Sequence, residues 1–410
     1  MNARLGITGA LALAAASTGV VVPALRELVE HAGHGPATAG VFMAAHVLGG
    51  VIGASLGARA LRRIGSARTL AALGLGASVA IVLAMAALDS LAVRIALRFV
   101  DGGCHLLAIT ALVAAATAGE PELRARRAVT MGLAIVLGVA AGFGVGAALA
   151  RPALALVVAA AVSAAALTTL LAGVAAEPLS EPAPAPRAAS ARRSFALLAW
   201  LRTGIDRSGA GPLAPGLLSF GERFIFGTLS VATPFLAPPA RVGLVLGVAM
   251  TASVVAMPIA RRYAQAWGAR RLAVRSTLGF AATLAASGAI DVFGSPVRAL
   301  VWAIACGAAA GALYASALVL VARSAALDDR MRDMGAVHAA GSAGFALGAL
   351  SAGVLVPVLA GGLVIAVPGI AIIALATLGV WITVPEAARD CPLVTALATP
   401  PRPISERFTP

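Results

Sequence analysis

The stretch from Ala37 to Leu70, ATAGVFMAAHVLGGVIGASLGARALRRIGSARTL, joins a long apolar run to a short loop that is rich in arginine. About twenty apolar residues are enough to cross the hydrocarbon core of a bilayer as a helix. Arginines that follow such a run collect on the cytoplasmic side of the membrane. The stretch therefore predicts a transmembrane helix that ends in a cytoplasmic loop.

Apolar runs of this kind recur along the whole chain. Of its 410 residues, 60% are hydrophobic and only 12% are charged, which is too little charge to cover the surface of a soluble protein of this size. The composition predicts an all-α polytopic membrane protein with twelve transmembrane helices. The runs lie near 5–24, 37–58, 69–88, 91–117, 128–150, 152–174, 214–237, 241–260, 272–292, 296–322, 334–358 and 362–384.

All 31 lysine or arginine positions are arginine, and almost all of these arginines fall in every second gap between the apolar runs. With the N-terminus inside, 24 of them fall in or beside cytoplasmic segments and five fall outside. The remaining two, Arg98 and Arg223, lie within predicted helices. The positive-inside rule thus predicts a multi-pass protein of the cytoplasmic (inner) membrane with both termini in the cytoplasm. It also explains the net charge of +14 without a nucleic-acid partner.

The chain divides into two halves. We predict an N-terminal six-helix bundle over 1–174, a cytoplasmic linker over 175–213, a C-terminal six-helix bundle over 214–384 and a cytoplasmic tail over 385–410. The linker is rich in Pro, Ala and Ser. An arginine-rich loop recurs in both halves, with Gly65 in one copy and Gly268 in the other. An alternative interpretation of the first span is a secretory signal that begins at Arg4, which would leave eleven spans.

Three sequence motifs fit this arrangement. The loop after the second span contains Arg62, Arg63 and Gly65, and the fourth span contains Arg98-Phe99-Val100-Asp101-Gly102-Gly103. The fifth span carries four spaced glycines, Gly138, Gly142, Gly144 and Gly146. With six plus six spans and a central linker, the chain resembles the major facilitator superfamily, in its proton-coupled antiporter-like branch. Two departures are Arg62, where the family has an acid, and Phe143, where the antiporter motif has proline.

The resemblance implies two pseudo-symmetric six-helix bundles that rock around a midplane cavity. It implies secondary active transport by a monomer whose partners are a small-molecule substrate, protons and membrane lipids. The four glycines of the fifth span are alternatively a helix-packing face. No metal site, nucleophile triad or phosphate loop is recognisable, so we expect neither an enzyme nor a cofactor.

Charged residues inside a membrane are costly and usually mark transport paths or partners. The acids predicted within spans are Asp101 and Glu222. Arg98, Asp101 and His105 share one face of the fourth helix, because they are spaced i, i+3 and i+7. We predict that Asp101 and Arg98 couple transport to protons, with Glu222 as a second site. A static buried pair that locks the N-terminal bundle is the alternative.

The predicted cavity residues are less specific. Neighbouring helical residues diverge by about 100°, so Glu222 and Arg223 are expected to point in different directions. Arg223 either faces the cavity or reaches the cytoplasmic interface. The remaining candidates could equally be packed core residues, and they are His46, His105, His338, Phe99, Phe224 and Phe226.

These features predict proton-coupled export of a small apolar or amphipathic molecule by alternating access. Two alternatives stay open. One is proton-linked uptake of a metabolite anion, with Arg98 or Arg223 binding the anion. The other is a non-transporting helper or assembly protein that keeps the same fold.

A charge-swapped cytoplasmic gate is predicted from the loop residues Arg62, Arg63 and Gly65 and from Asp333, which lies before the eleventh span. Because Arg62 replaces an acid, we expect it to pair with Asp333. Arg62→Asp should cripple transport by placing like charges together, and Arg62→Asp with Asp333→Arg should partly restore it. Flux into proteoliposomes measures both. Equal loss in the single and double variants would contradict the gate. The alternative is a solvated basic loop held at lipid phosphates.

Overall fold

A computed structural model of the protein describes residues 3–116, 121–149, 151–173, 213–290, 292–322 and 327–383. All regular structure in these ranges is helical. The predicted tail and all of the linker except Leu213 lie outside them. The twelve long helices are α1 (Ala3–Val20), α2 (Pro36–Ile64), α3 (Ala67–Ala87), α4 (Leu91–Ala116), α5 (Pro121–Ala147), α6 (Pro152–Gly173), α7 (Leu213–Leu236), α8 (Pro239–Trp267), α9 (Ala269–Ala289), α10 (Pro296–Ala322), α11 (Leu327–Leu355) and α12 (Leu363–Thr383).

Most of these helices can cross a membrane on length and composition alone. Within the described ranges, nine helices meet that condition, and the first includes a short helical extension of α1 over Leu25–Glu30. The other three are α7, α9 and α11. Charge lowers the hydropathy of α7, which holds Glu222 and Arg223, and of α9, which begins with a cluster of arginines. The all-α polytopic class is therefore confirmed.

The two arginine-rich loops each turn at a glycine with a positive φ. Gly65 ends α2 with a φ of 74°, and Gly268 separates α8 from α9 with a φ of 80°. Both angles lie in the left-handed region, which glycine reaches without the penalty that a side chain imposes. The hydroxyl oxygen of Ser66 then accepts a hydrogen bond from the Thr69 N–H at 3.2 Å and caps the start of α3.

The helices pack into two bundles related by pseudo-symmetry. In the first bundle α1 packs on α5 and α6, α2 on α4, and α3 on α4 and α6. Adding six to each number gives the second bundle, where α7 packs on α11 and α12, α8 on α10, and α9 on α10 and α12. The predicted pair of six-helix bundles is confirmed.

The bundles meet through two helix pairs, α2 with α11 and α5 with α8. The end of the molecule where α1 begins and α12 ends carries most of the arginines, and we call it the arginine-rich end; the other is the opposite end. Contacts are tightest toward the opposite end. A methyl group on Gly40 would come within 2.6 Å of the Ala349 carbonyl oxygen, and one on Gly243 within 2.6 Å of the Phe143 carbonyl oxygen. The bundles are thus closed at the opposite end.

The exposure of α7 differs between its two halves. Leu217, Phe220 and Arg223 are half-buried and lie on one face, whereas every residue from Phe224 to Pro234 is buried. We call the open space beside this half-buried stripe, from the arginine-rich end to the level of Arg223, the cleft.

Glycines also set the distance between α1 and α5. Methyl groups on Gly138, Gly142 and Gly146 would overlap carbonyl groups of α1, whereas one on Gly144 would meet nothing within 4 Å. Gly144 was predicted to share the packing face but does not. Its position is two residues, or about 200°, away from Gly142 around the helix.

This difference gives a matched pair of variants. Gly142→Ala should destabilise the protein by about 1–3 kcal/mol, because the added methyl group overlaps the Ala16 carbonyl and α1 must shift. Gly144→Ala on the same helix should be neutral or slightly stabilising, because alanine favours the helix and the space is open. Thermal unfolding of the purified protein measures both, and equal effects would contradict the α1–α5 packing described.

Candidate functional site

The first candidate site is a buried ion pair within α4. Arg98 Nη1 lies 2.8 Å from Asp101 Oδ2, and each residue is only 2% exposed. The spacing i, i+3 places both side chains on the same face of the helix, as predicted. Burying charge is tolerated only when each charge has a close partner. The pair satisfies that condition.

Two further helices bind the same carboxylate. Ser78 on α3 donates its hydroxyl to Asp101 Oδ1 at 2.5 Å. His46 on α2 lies with Nδ1 3.2 Å from Asp101 Oδ2, at ion-pair distance although the ring is not aligned for a hydrogen bond. Asp101 therefore joins α2, α3 and α4 through one side chain.

Glycines allow this convergence. A methyl group on Gly49 or Gly53 of α2 would overlap the backbone of α4 at Phe99 or Gly103. One on Gly102 of α4 would overlap the His46 carbonyl group. Only glycine lets two backbones approach so closely. Gly102 thus lets His46 approach Asp101.

Two more rings complete the cluster. The rings of His105 and His46 have centroids 5.5 Å apart, and the Arg98 guanidinium lies 5.5 Å from the centroid of the Phe42 ring. His105 is buried like its neighbours. We call Phe42, His46, Ser78, Arg98, Asp101 and His105 the α4 cluster. The sequence reasoning missed Ser78 and Phe42, although a serine alone in the apolar α3 was a usable signal.

The second candidate site is the pair Glu222–Arg223 on α7. Glu222 is buried, whereas the Arg223 side chain is 32% exposed on the stripe that borders the cleft. Their side chains leave the helix in different directions, as expected. Arg223 nevertheless bends back, so that its Nε lies 3.2 Å from Glu222 Oε2. The guanidinium also lies 5.7 Å from the centroid of the Tyr314 ring on α10, a contact that was not predicted.

The remaining predicted residues are not brought into one site. Phe99 lies on the exposed face of α4, away from Arg98 and Asp101. Phe224 and Phe226 are buried, and Phe224 lies 6.3 Å from Phe220 between ring centroids. Arg63 and Gly65 are exposed at the arginine-rich end. The side chains of Arg62, His338 and Asp333 lie outside the described residues.

The described residues hold no group of three or more His, Cys, Asp or Glu side chains that could bind a metal ion. The α4 cluster combines one acid with two histidines and an arginine. These groups can donate, accept and hold protons at a buried carboxylate.

The fold and the sequence point to one family. The model of the Major Facilitator Superfamily matches residues 203–406. The chain belongs to this superfamily. Its members are membrane transporters, which makes this chain a multi-pass membrane protein of a transporter family. No curated protein sequence matches the chain as a relative.

Solved transporter structures share the fold. The inward-open xylose transporter XylE from E. coli aligns with a TM-score of 0.72 and 16% identity, over 96% of this chain and 98% of that chain. The nucleoside transporter NupG aligns with a TM-score of 0.68 and 13% identity, over 93% and 98%. The human organic anion transporter MFSD10 aligns with a TM-score of 0.67 and 18% identity, over 92% and 98%.

The α4 cluster makes a prediction about stability. Asp101→Leu should cost about 3–5 kcal/mol, because it leaves the buried Arg98 guanidinium without its counter-charge. Adding Arg98→Leu should restore most of that loss, since no charge then remains unpaired. Thermal unfolding measures both variants.

Asp89→Leu is the matched control, because it removes the exposed partner of Arg94, which lies at 3.9 Å. It should leave unfolding unchanged, because Asp89 is fully exposed and water screens its attraction for Arg94. A double variant no more stable than Asp101→Leu alone would contradict the ion-pair explanation.

Proposed function

We propose that this chain is a proton-coupled secondary transporter that exports a small apolar or amphipathic molecule by alternating access. The observation that carries the proposal is the buried carboxylate of Asp101, bound by Arg98, Ser78 and His46 on three helices. Such a group changes its interactions with all three helices when it gains a proton. Protonation of Asp101 can therefore change how α2, α3 and α4 pack around it.

The route from Asp101 to the bundle interface is short. His46 lies on α2, six residues or about 9 Å along the helix from Gly40, and Gly40 packs against α11 at the closed opposite end. Protonation of Asp101 removes its attraction for Arg98 and for a charged His46. The position of α2 against α4 then changes, and with it the α2–α11 contact that closes the opposite end.

Two further groups support proton movement. His105 and His46 lie side by side in the α4 cluster, and each imidazole can accept and pass on a proton. Glu222 on α7 is the second acid, and its partner Arg223 borders the cleft. We assign Asp101 as the principal proton site, Arg98 as its tuning partner and Glu222 as a second site.

The charge balance favours a neutral substrate. Arg98 is paired with Asp101 and Arg223 with Glu222, so both intramembrane arginines are neutralised. A metabolite anion would have to break one of these pairs in order to bind. Beside Arg223 the half-buried face of α7 carries the apolar Phe220, and Leu217 on the same face packs against Gly379 of α12. These walls suit an apolar or amphipathic molecule, and the arginine distribution supports cytoplasmic termini in the inner membrane.

A flux assay tests the proposal. A substrate is first selected by screening compounds in an efflux-deficient host, and the purified protein is then reconstituted in proteoliposomes with an imposed pH gradient. The wild-type protein should move the compound in one direction while protons move in the other. A pH dye entrapped in the vesicles records the proton flux. Asp101→Asn should lose about a hundredfold or more of gradient-driven transport, the order of effect of removing a proton-transfer group.

Two control variants and the possible outcomes of the flux assay separate the alternative functions. Asp89→Asn should transport normally. The double variant Arg98→Leu/Asp101→Leu, which is expected to be stable, should be uncoupled, which separates coupling from folding.

Normal coupling in Asp101→Asn would mean that the Arg98–Asp101 pair is a static lock. A wild type that moves only anions, with loss in Arg98→Lys, would mean anion uptake, and no flux at all would mean a non-transporting protein.

A further inference from the structure

The surface of the second bundle has an apolar groove between α9 and α12. The groove measures about 350 Å³ and is lined by apolar side chains of both helices and by Thr377. Thr377 donates its hydroxyl to the carbonyl of Ile373 within its own helix at 2.7 Å. Leu278, Leu378 and Trp381 are each more than half exposed along it. The wall of the groove is therefore apolar, and it faces the membrane.

One end of this groove is cationic. Arg270, in the first turn of α9, donates through Nη2 to the Trp381 carbonyl at 3.1 Å, and its guanidinium lies 5.5 Å from the centroid of the Trp381 ring. Arg271 beside it is exposed. Among the described residues, the salt bridges include neither arginine. Arg270 has further N–H donors beyond the one it uses.

Aromatic side chains place this end at the membrane interface. Arg275 lies 4.1 Å from the centroid of the Trp267 ring, which stacks on Tyr263 at 4.5 Å. With Trp381, these rings form an exposed belt at the arginine-rich end of α8, α9 and α12. Tryptophan and tyrosine gather at the level of lipid headgroups. The arginines therefore lie where a headgroup phosphate would be.

The length of the groove matches one leaflet. From Trp381 to Ile370 it follows eleven residues of α12, which corresponds to about 16 Å of helix. One leaflet of a hydrocarbon core about 30 Å thick is about 15 Å. An acyl chain that starts at Arg270 and Trp381 would end near the bilayer midplane.

The pseudo-symmetric position in the first bundle provides a comparison. Arg68 in the first turn of α3 donates to the Leu171 carbonyl near the end of α6 at 2.9 Å, as Arg270 does to Trp381 near the end of α12. The α3–α6 position has leucine where α12 has its tryptophan. The helix-end bond is therefore common to both bundles, whereas the tryptophan at the end of α12 belongs to the second.

We propose that the α9–α12 groove binds an anionic phospholipid, with one acyl chain against Leu278, Ile373 and Trp381 and with the phosphate at Arg270 and Arg271. The charge complementarity and the leaflet-long apolar wall identify this occupant. The site lies outside the α4 cluster and the α7 pair, so it is independent of the transport proposal.

Brominated lipids test the site, because bromine on an acyl chain quenches tryptophan on contact. The full chain with Trp200→Phe and Trp267→Phe, which leaves Trp381 and the buried Trp302, is placed in phosphatidylcholine vesicles. Brominated phosphatidylglycerol and brominated phosphatidylcholine are then compared at equal mole fractions. The anionic lipid should bind about fivefold or more tightly, as expected for basic residues at a membrane surface. The ratio of the two lipid affinities is compared between variants, so a change in the exposure of Trp381, which affects both lipids equally, cancels.

Variants decide the role of the arginines. Arg270→Gln/Arg271→Gln should bring the ratio near one, and Arg271→Gln alone, at an exposed residue, should lower it in part. Arg68→Gln loses the equivalent helix-end bond and should keep the ratio. A ratio near one in the parent protein, an unchanged ratio in the double variant, or an equal fall in Arg68→Gln would each overturn the proposal.

Discussion

The carboxylate of Asp101 holds three helices together in a region where water cannot satisfy it. It accepts from Arg98 and Ser78 and lies at ion-pair distance from His46, so that α2, α3 and α4 share one polar centre. A buried charge that lost these partners would be strongly destabilising. The packing around it follows, because the partners can converge only where glycines let α2 and α4 touch backbone to backbone.

The same constraint acts across the whole molecule. In a bilayer, apolar side chains gain little from leaving lipid for protein, so helices associate through close packing and polar contacts. Here α1 meets α5 through Gly138 and Gly142, and α2 meets α11 through Gly40. The closed opposite end depends on such contacts. At that end the two bundles approach each other backbone to backbone.

Much of this architecture could be predicted because it depends on local composition. Apolar runs long enough to cross a bilayer, separated by arginine loops, predicted twelve transmembrane helices. The described residues contain twelve long helices, nine of which are apolar enough to span a membrane. The shared face of Arg98, Asp101 and His105 followed from helical spacing alone. The left-handed Gly65 and Gly268 are the turns that the two matching loops required. The partners of Asp101 on other helices could not be predicted, because Ser78 and His46 are distant in sequence and reach it through helix crossings.

The tertiary structure also gives some residues surroundings that their position in the sequence did not predict. Phe99 follows Arg98 directly yet lies on the exposed face of α4, and Gly144 lies among packing glycines yet has open space where a methyl group would be. The carbonyl bond and ring contact between Arg270 and Trp381 join residues 111 positions apart.

By itself the sequence determined the number of helices, their order and the excess of arginine at one end, because hydropathy and charge act on each segment separately. Only the tertiary structure decided which end is closed, which polar groups meet and where a lipid groove forms. Those features depend on how closely two backbones approach, and that distance is a property of helix pairs.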